Sequence, residues 1–126
     1  MKIDIHTHIM PEKMPNWTQK FGYGEFIHLE HRNCDACMMK GDKLFRVVEE
    51  NCFKEAIRRK DMEEADVDIQ DLSTIPVLFN YWAKPLDGLE TSRFFNDHIA
   101  ETAAKEPNHF IGLGTGPLQV IDLAIK

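Results

Sequence analysis

The sequence has little of what would place it in a membrane or on nucleic acid. It contains no apolar run of the roughly 18–20 residues that a membrane-spanning helix needs. It also has no excess of basic charge, because 21 acidic residues outnumber 15 basic ones and the formal net charge is −6. These two absences argue against a membrane protein and against a general nucleic-acid binder.

Cysteine is scarce as well. The chain has three cysteines, which are Cys34, Cys37 and Cys52. An odd number cannot pair off evenly, so free thiols in a reducing compartment are the simplest interpretation. A signal peptide is not expected, because Asp4, His6 and His8 interrupt the first apolar stretch. We therefore predict a cytoplasmic protein, and 126 residues of ordinary globular composition predict one domain or part of one.

What the sequence does contain is a pair of histidines near its start. Residues 2–8, KIDIHTH, alternate polar and apolar side chains as a short strand does. Strict alternation places His6 and His8 on one face of the strand, together with Asp4. The Cβ atoms of the two histidines would be about 6–7 Å apart, and two imidazoles so placed can bind one metal ion. Imidazole suits zinc, copper, iron and nickel, so the pair does not select the metal. Two surface histidines without a ligand are the alternative interpretation.

The rest of the chain predicts an α/β fold. Apolar periodicity and turn residues predict strands at 25–30 and 44–49 around a loop at 33–42, a helix at 53–65, a strand at 67–73, a helix at 87–105 with Asp87 as its N-cap, a strand at 109–114 and a helix from 119. This alternation is typical of a parallel sheet. Because eight units are needed to close a barrel, we expect the first three βα units of a (β/α)8 TIM-type barrel. Residues 25–49 would form a β-hairpin inserted after strand 1, and residues 1–126 the N-terminal part of the domain.

Seven stretches resemble one enzyme family in the order in which that family has them. They are MKIDIHTHIMP (1–11), FGYG (21–24), FRVV (45–48), ENC (50–52), LSTIPV (72–77), YWAKP (81–85) and GLGT (112–115). Together they resemble the aminocarboxymuconate-semialdehyde decarboxylases of the amidohydrolase superfamily. The resemblance implies a (β/α)8 barrel that uses zinc and no organic cofactor. It also implies non-oxidative decarboxylation of 2-amino-3-carboxymuconate-6-semialdehyde in the kynurenine route of tryptophan breakdown.

The resemblance also implies roles for particular residues. His6 and His8 match zinc ligands, and Arg46 matches the arginine that holds a carboxylate of the substrate. A planar guanidinium can bind a carboxylate through two parallel hydrogen bonds. Without the resemblance, Arg46 would be interpreted as a solvated charge. The other ligands of the family, a histidine and an aspartate, and its acid/base histidine come from later strands, beyond Lys126. We therefore expect this chain alone to be inactive. The resemblance also implies that the full-length enzyme is a homodimer.

Alternatives stay open on the sequence alone. One is another metal-dependent hydrolase of the same superfamily, and another is an inactive fragment that binds the full-length subunit. A second metal site is conceivable at His31, Cys34 and Cys37, although two thiols in a loop are the simpler interpretation. The aromatic segment with Phe79, Tyr81 and Trp82 follows a strand and either walls a substrate pocket or packs under the inserted hairpin.

Overall fold

A computed structural model describes residues 1–125 as alternating strands and helices. In chain order the elements are β1 (Ile3–Ile9), α1 (Trp17–Phe21), β2 (Ile27–Arg32), β3 (Asp35–Lys40), β4 (Lys43–Val48), α2 (Glu55–Glu64), β5 (Ile69–Thr74), α3 (Pro85–Lys105), β6 (Phe110–Gly112) and α4 (Ile121–Ala124). Short 3₁₀ turns at Glu50–Cys52 and Pro76–Leu78 follow β4 and β5.

The first sheet is parallel and has the strand order β1-β5-β6. Ile3 pairs with Ile69 at one end of the β1–β5 ladder, and Ile9 pairs with Thr74 at the other. Helices α2 and α3 cover one face, and the core beneath them consists of Ile9, Met62, Leu72, Ile99 and Phe110. The predicted α/β class with a parallel sheet is confirmed.

The second sheet lies between β1 and α2 in the chain and is antiparallel, in the order β2-β3-β4. Two strands joined by a loop at 33–42 were the prediction, and that prediction is wrong because β3 occupies most of the loop. Residues Ala36 to Met39 are all buried, so this strand has no polar face and no alternation that a sequence pattern could reveal. Met38 pairs with Leu29 of β2 on one side and with Arg46 of β4 on the other.

Helix α1 lies in a segment for which the sequence predicted neither a helix nor a strand. The Asn16 side chain accepts a hydrogen bond from the backbone N–H of Gln19 at 3.0 Å, which is the usual N-cap arrangement. The helix buries Trp17 against Phe26 and Ala83. A helix of five residues is too short for a periodic pattern, and packing of one aromatic side chain therefore defines it.

Helix α3 begins two residues earlier than predicted. Its N-cap is Lys84 and Pro85 is the first helical residue, so the assignment of Asp87 as N-cap is wrong. Asp87 lies in the first turn, where the helix dipole favours a carboxylate, and it accepts a hydrogen bond from the Tyr23 hydroxyl at 2.8 Å. Across residues 1–125, no helix combines the length and the apolar character that crossing a bilayer would require.

Candidate metal centre

The histidine pair lies near the carboxyl end of β1, and a bulge decides which side chains accompany it. The β1–β5 register shifts by one residue between Asp4 and Thr7. Before the shift Asp4 pairs with Gln70, and after it His8 pairs with Ser73. Since Gln70 and Ser73 are an odd number of residues apart, Asp4 and His8 lie on opposite faces of the sheet.

The expectation that Asp4 shares a face with the histidines is therefore wrong. Asp4 lines a cavity of about 350 Å³ on the helix side, together with Arg58 and Met62 of α2. Its carboxylate accepts a hydrogen bond from the backbone N–H of His6 at 3.2 Å. This contact spans two residues, as in an Asx turn, and it stabilises the bulge.

His6 and His8 are brought together on the face that points away from the helices. Their ring centroids are 5.3 Å apart, and the ring planes are nearly perpendicular, at 89°. His6 is exposed and His8 is half-buried. Two imidazoles this close can contribute two nitrogens to one metal ion, as the sequence predicted.

His8 is held from both sides of β1. Its Nδ1 lies 2.9 Å from the Ser73 hydroxyl, which also donates a hydrogen bond to the carbonyl of Thr7 at 2.8 Å. On the helix side, Arg58 donates a hydrogen bond from Nη2 to the His8 carbonyl at 2.6 Å. Burial lowers the pKa of His8, and the nearby His6 lowers it further. Both effects favour the neutral imidazole, which is the form that binds metals.

The residues present fit part of a metal site. Catalytic zinc usually has three protein ligands and an open position. Among residues 1–125 no group of three or more His, Cys, Asp or Glu side chains is placed to hold one ion. The pair could thus supply two ligands from one strand, and further ligands would have to come from elsewhere.

Arg46 lies on β4, at the edge of the antiparallel sheet, and its side chain is exposed. Burial raises the pKa of the Cys52 thiol, and the positive charges of Arg58 and Arg46 oppose that shift. The carbonyl of Cys52 in turn accepts a hydrogen bond from the Met10 N–H at 3.0 Å, two residues after His8. Val48, two residues after Arg46, packs in one buried cluster with Met10, so the end of β4 lies toward the same end of β1 as the histidines.

The second possible metal site is not assembled in the described residues. A ring nitrogen of His31 contacts the Glu12 carbonyl at 2.5 Å, and the ring packs edge-on against Phe53 at 5.3 Å. Cys34 is exposed whereas Cys37 is buried, and both are free thiols. Both thiols are free, as the simpler interpretation expected, but its placement of them in a loop is wrong for Cys37, because that residue is buried in β3.

The aromatic segment after β5 packs against the inserted region. The Trp82 ring lies 4.5 Å from that of Phe26, just before β2, and its exposed fraction is still 53%. Phe79 and Tyr81 stack on each other at 5.3 Å. The sequence left two alternatives for this segment, a wall of a substrate pocket or packing under the inserted hairpin. The Trp82 ring packs against the inserted region.

Comparison with solved structures gives the class of fold. The chain superposes over 98% of its length on 32% of a dihydroxybenzoic acid decarboxylase from Polaromonas sp. JS666, with a TM-score of 0.66 and 22% identity. That decarboxylase was solved with bound manganese and the inhibitor 2-nitroresorcinol. The chain therefore has part of the mixed α/β fold of that decarboxylase. No model of a known protein family matches the chain.

Two curated relatives carry the same enzyme name. The chain is 46% identical over its whole length to 35% of the 2-amino-3-carboxymuconate-6-semialdehyde decarboxylase of Dictyostelium discoideum. It is 44% identical over 99% of its length to 31% of the enzyme of that name from Caenorhabditis elegans. The resemblance to aminocarboxymuconate-semialdehyde decarboxylases is thus confirmed, and the chain spans about a third of the length of these relatives.

Proposed function

We propose that this chain carries part of the active site of a zinc-dependent decarboxylase that acts on 2-amino-3-carboxymuconate-6-semialdehyde in tryptophan catabolism. The observation that carries the proposal is 46% identity over the whole chain to a decarboxylase of that name, together with two imidazoles at 5.3 Å at the end of the first parallel strand. In parallel α/β folds the chemistry gathers at the carboxyl ends of the strands.

His6 and His8 would hold the metal, and Arg46 would bind a carboxylate of the substrate. When bound there, zinc supplies Lewis acidity. The lowered pKa of His8 keeps its imidazole available at neutral pH, and the exposed guanidinium of Arg46 can approach a carboxylate without losing a buried partner. Orientation of the substrate by an arginine is a positioning effect, and it accelerates a reaction by reducing the freedom of the reacting group.

The parallel strands β1, β5 and β6 would be the first three strands of an eight-stranded barrel, with the antiparallel sheet as its insertion. The face of the parallel sheet that carries His8 also exposes Ile3, Ile111 and Leu113, each by nearly half. Apolar side chains on a barrel strand are ordinarily covered by the rest of the barrel interior. On this proposal the other metal ligands lie on strands outside these residues, so the chain alone is inactive.

A chimaeric enzyme tests the proposal. This chain would replace the matching third of the Dictyostelium relative, and loss of substrate absorbance would be followed with zinc supplied. We expect the chimaera to turn over substrate, His8→Ala to abolish turnover and bound zinc, and Arg46→Met to raise KM. Lys60→Met on the exposed surface of α2 is the matched control. A chimaera whose turnover survives His8→Ala would contradict the metal role, and turnover by the isolated chain would contradict its predicted inactivity.

A cytoplasmic location stays a prediction from the cysteines and the interrupted first apolar stretch. A homodimeric full-length enzyme stays a prediction from the resemblance. The alternative of an inactive fragment that binds the full-length subunit has one observation in its favour, which is the exposed apolar face with Ile3, Ile111 and Leu113. Co-purification of the tagged chain with an intact relative distinguishes the two alternatives. Only a chain that binds the full-length subunit would be recovered together with it.

A further inference from the structure

Ser73 has two polar neighbours but only one hydroxyl hydrogen. Its Oγ donates a hydrogen bond to the Thr7 carbonyl at 2.8 Å and lies 2.9 Å from Nδ1 of His8. A carbonyl oxygen can only accept, so the hydrogen of Ser73 is used there. The contact with His8 then requires the ring nitrogen to be the donor.

We propose that Ser73 is a positioning residue that holds His8 in the Nδ1–H tautomer and so directs the lone pair of Nε2 outward. In a neutral imidazole one nitrogen carries the hydrogen and the other is the acceptor, and the hydrogen bond made by one nitrogen decides which it is. The use of that lone pair for a metal rests on the function proposed above. The tautomer itself follows from the hydrogen bonds of Ser73 alone.

The strand pairing makes this contact a rigid one. Ser73 lies directly opposite His8 in the parallel register of β1 and β5. The backbone of His8 is fixed independently, because the buried guanidinium of Arg58 donates to its carbonyl at 2.6 Å from the other face of the sheet. Ring and backbone are therefore anchored by different residues, so loss of Ser73 should release the ring without releasing the strand.

A hydroxyl in this place differs from the partner that metal-binding histidines commonly have, which is a carboxylate, a backbone carbonyl or a water. A hydroxyl whose hydrogen is already donated to Thr7 can only accept from His8. It therefore selects the tautomer without adding negative charge beside the ring. The carbonyl of Thr7 becomes the indirect determinant of which His8 nitrogen is available.

The tautomer can be read directly by two-bond 1H–15N correlation spectra of the 15N-histidine-labelled, metal-free chain at a pH above 6.5. We expect the His8 pattern of a ring protonated at Nδ1. Ser73→Ala should shift the pattern toward Nε2–H or a mixture of the two tautomers. Ser73→Thr keeps the hydroxyl and should keep the wild-type pattern. Ser92→Ala, a buried serine of α3, is the matched control and should leave His8 unchanged.

Zinc affinity of the chimaeric enzyme gives a second readout, measured by competition with a chromophoric chelator. Loss of a residue that orients a metal-binding histidine typically lowers affinity about 10–100-fold, and we expect a loss of that size in Ser73→Ala but not in Ser92→Ala. A wild-type His8 protonated at Nε2, or a pattern unchanged by Ser73→Ala, overturns the inference. If Ser73→Ala does not fold, the wild-type spectrum decides by itself. Failure of the chimaera to bind zinc would count against the proposed metal site, while the spectrum would still decide the role of Ser73.

Discussion

Replacement of Arg58 by methionine should remove a large part of the stability of this fold. Arg58 lies on α2 with an exposed fraction of 8%. Its guanidinium donates to the Gln70 side-chain oxygen at 3.0 Å and to the His8 carbonyl at 2.6 Å. It thereby connects the helix to both β1 and β5. Methionine fills a similar volume without donors, so both acceptors would lose their partner in a partly buried site.

The magnitude follows from two opposing terms. Each hydrogen bond from a charged donor contributes about 1.5–3 kcal/mol, so the two together contribute about 3–6 kcal/mol. Burial of the guanidinium opposes this, as the lowered pKa of Arg58 indicates, and methionine removes that cost. We expect a net loss of about 2–4 kcal/mol, out of the roughly 5–15 kcal/mol that a domain of this kind commonly has.

Urea unfolding followed by far-ultraviolet circular dichroism measures this loss. The matched control is Lys60→Met, two residues along the same helix, where the Lys60–Glu64 pair is exposed and 3.8 Å apart. An exposed i,i+4 pair contributes only about 0.3–0.5 kcal/mol, so the control should change the free energy of unfolding little. If Arg58→Met is as stable as the control, the two hydrogen bonds do not outweigh the burial of the charge, and the reasoning is refuted.

Two further predictions concern the helix side of the sheet and the inserted region. Burial lowers the pKa of His98 below its ordinary value of 6.5, so the unfolded state binds the proton more readily. The free energy of unfolding should therefore fall as the pH drops through and below 6.5. His98→Gln should flatten that dependence in urea titrations at several pH values. Gly24 has a positive φ of 76° and a Cβ there would lie 2.5 Å from the Trp82 ring, so Gly24→Ala should cost about 1–3 kcal/mol and change the tryptophan fluorescence. Gly22→Ala, with the same φ but open space around it, should show the backbone cost without the fluorescence change, and equal behaviour of the two variants would rule out the Trp82 contact.

The sequence predicted those features that depend on short-range periodicity. The alternation in residues 2–8 located β1, and the helical spacing of apolar residues located α2 and α3 within about two residues at their starts and ends. The histidine pair could be found for the same reason, since it needs only one strand. The regular α/β order then followed from the sequence of elements.

The features that were missed depend on pairing between segments far apart in the chain. Buried strand β3 has no polar alternation, so its residues resembled a loop until both neighbouring strands were in place. The bulge that turns Asp4 away from His8 is a property of the β1–β5 register, which no single segment specifies. Ser73 was visible as a polar residue at the end of a predicted strand, but its place opposite His8 exists only in the paired sheet.

The position of β1 at the border of the parallel sheet has a thermodynamic consequence. Within residues 1–125, β1 is an edge strand that pairs with β5. Its other edge is therefore available to a further strand that joins the sheet. A strand docking there would stiffen the same backbone that presents both imidazoles, and an ion held by those imidazoles would stiffen it in return. Docking and ion capture should then be reciprocally linked, each raising the affinity of the other by the same factor.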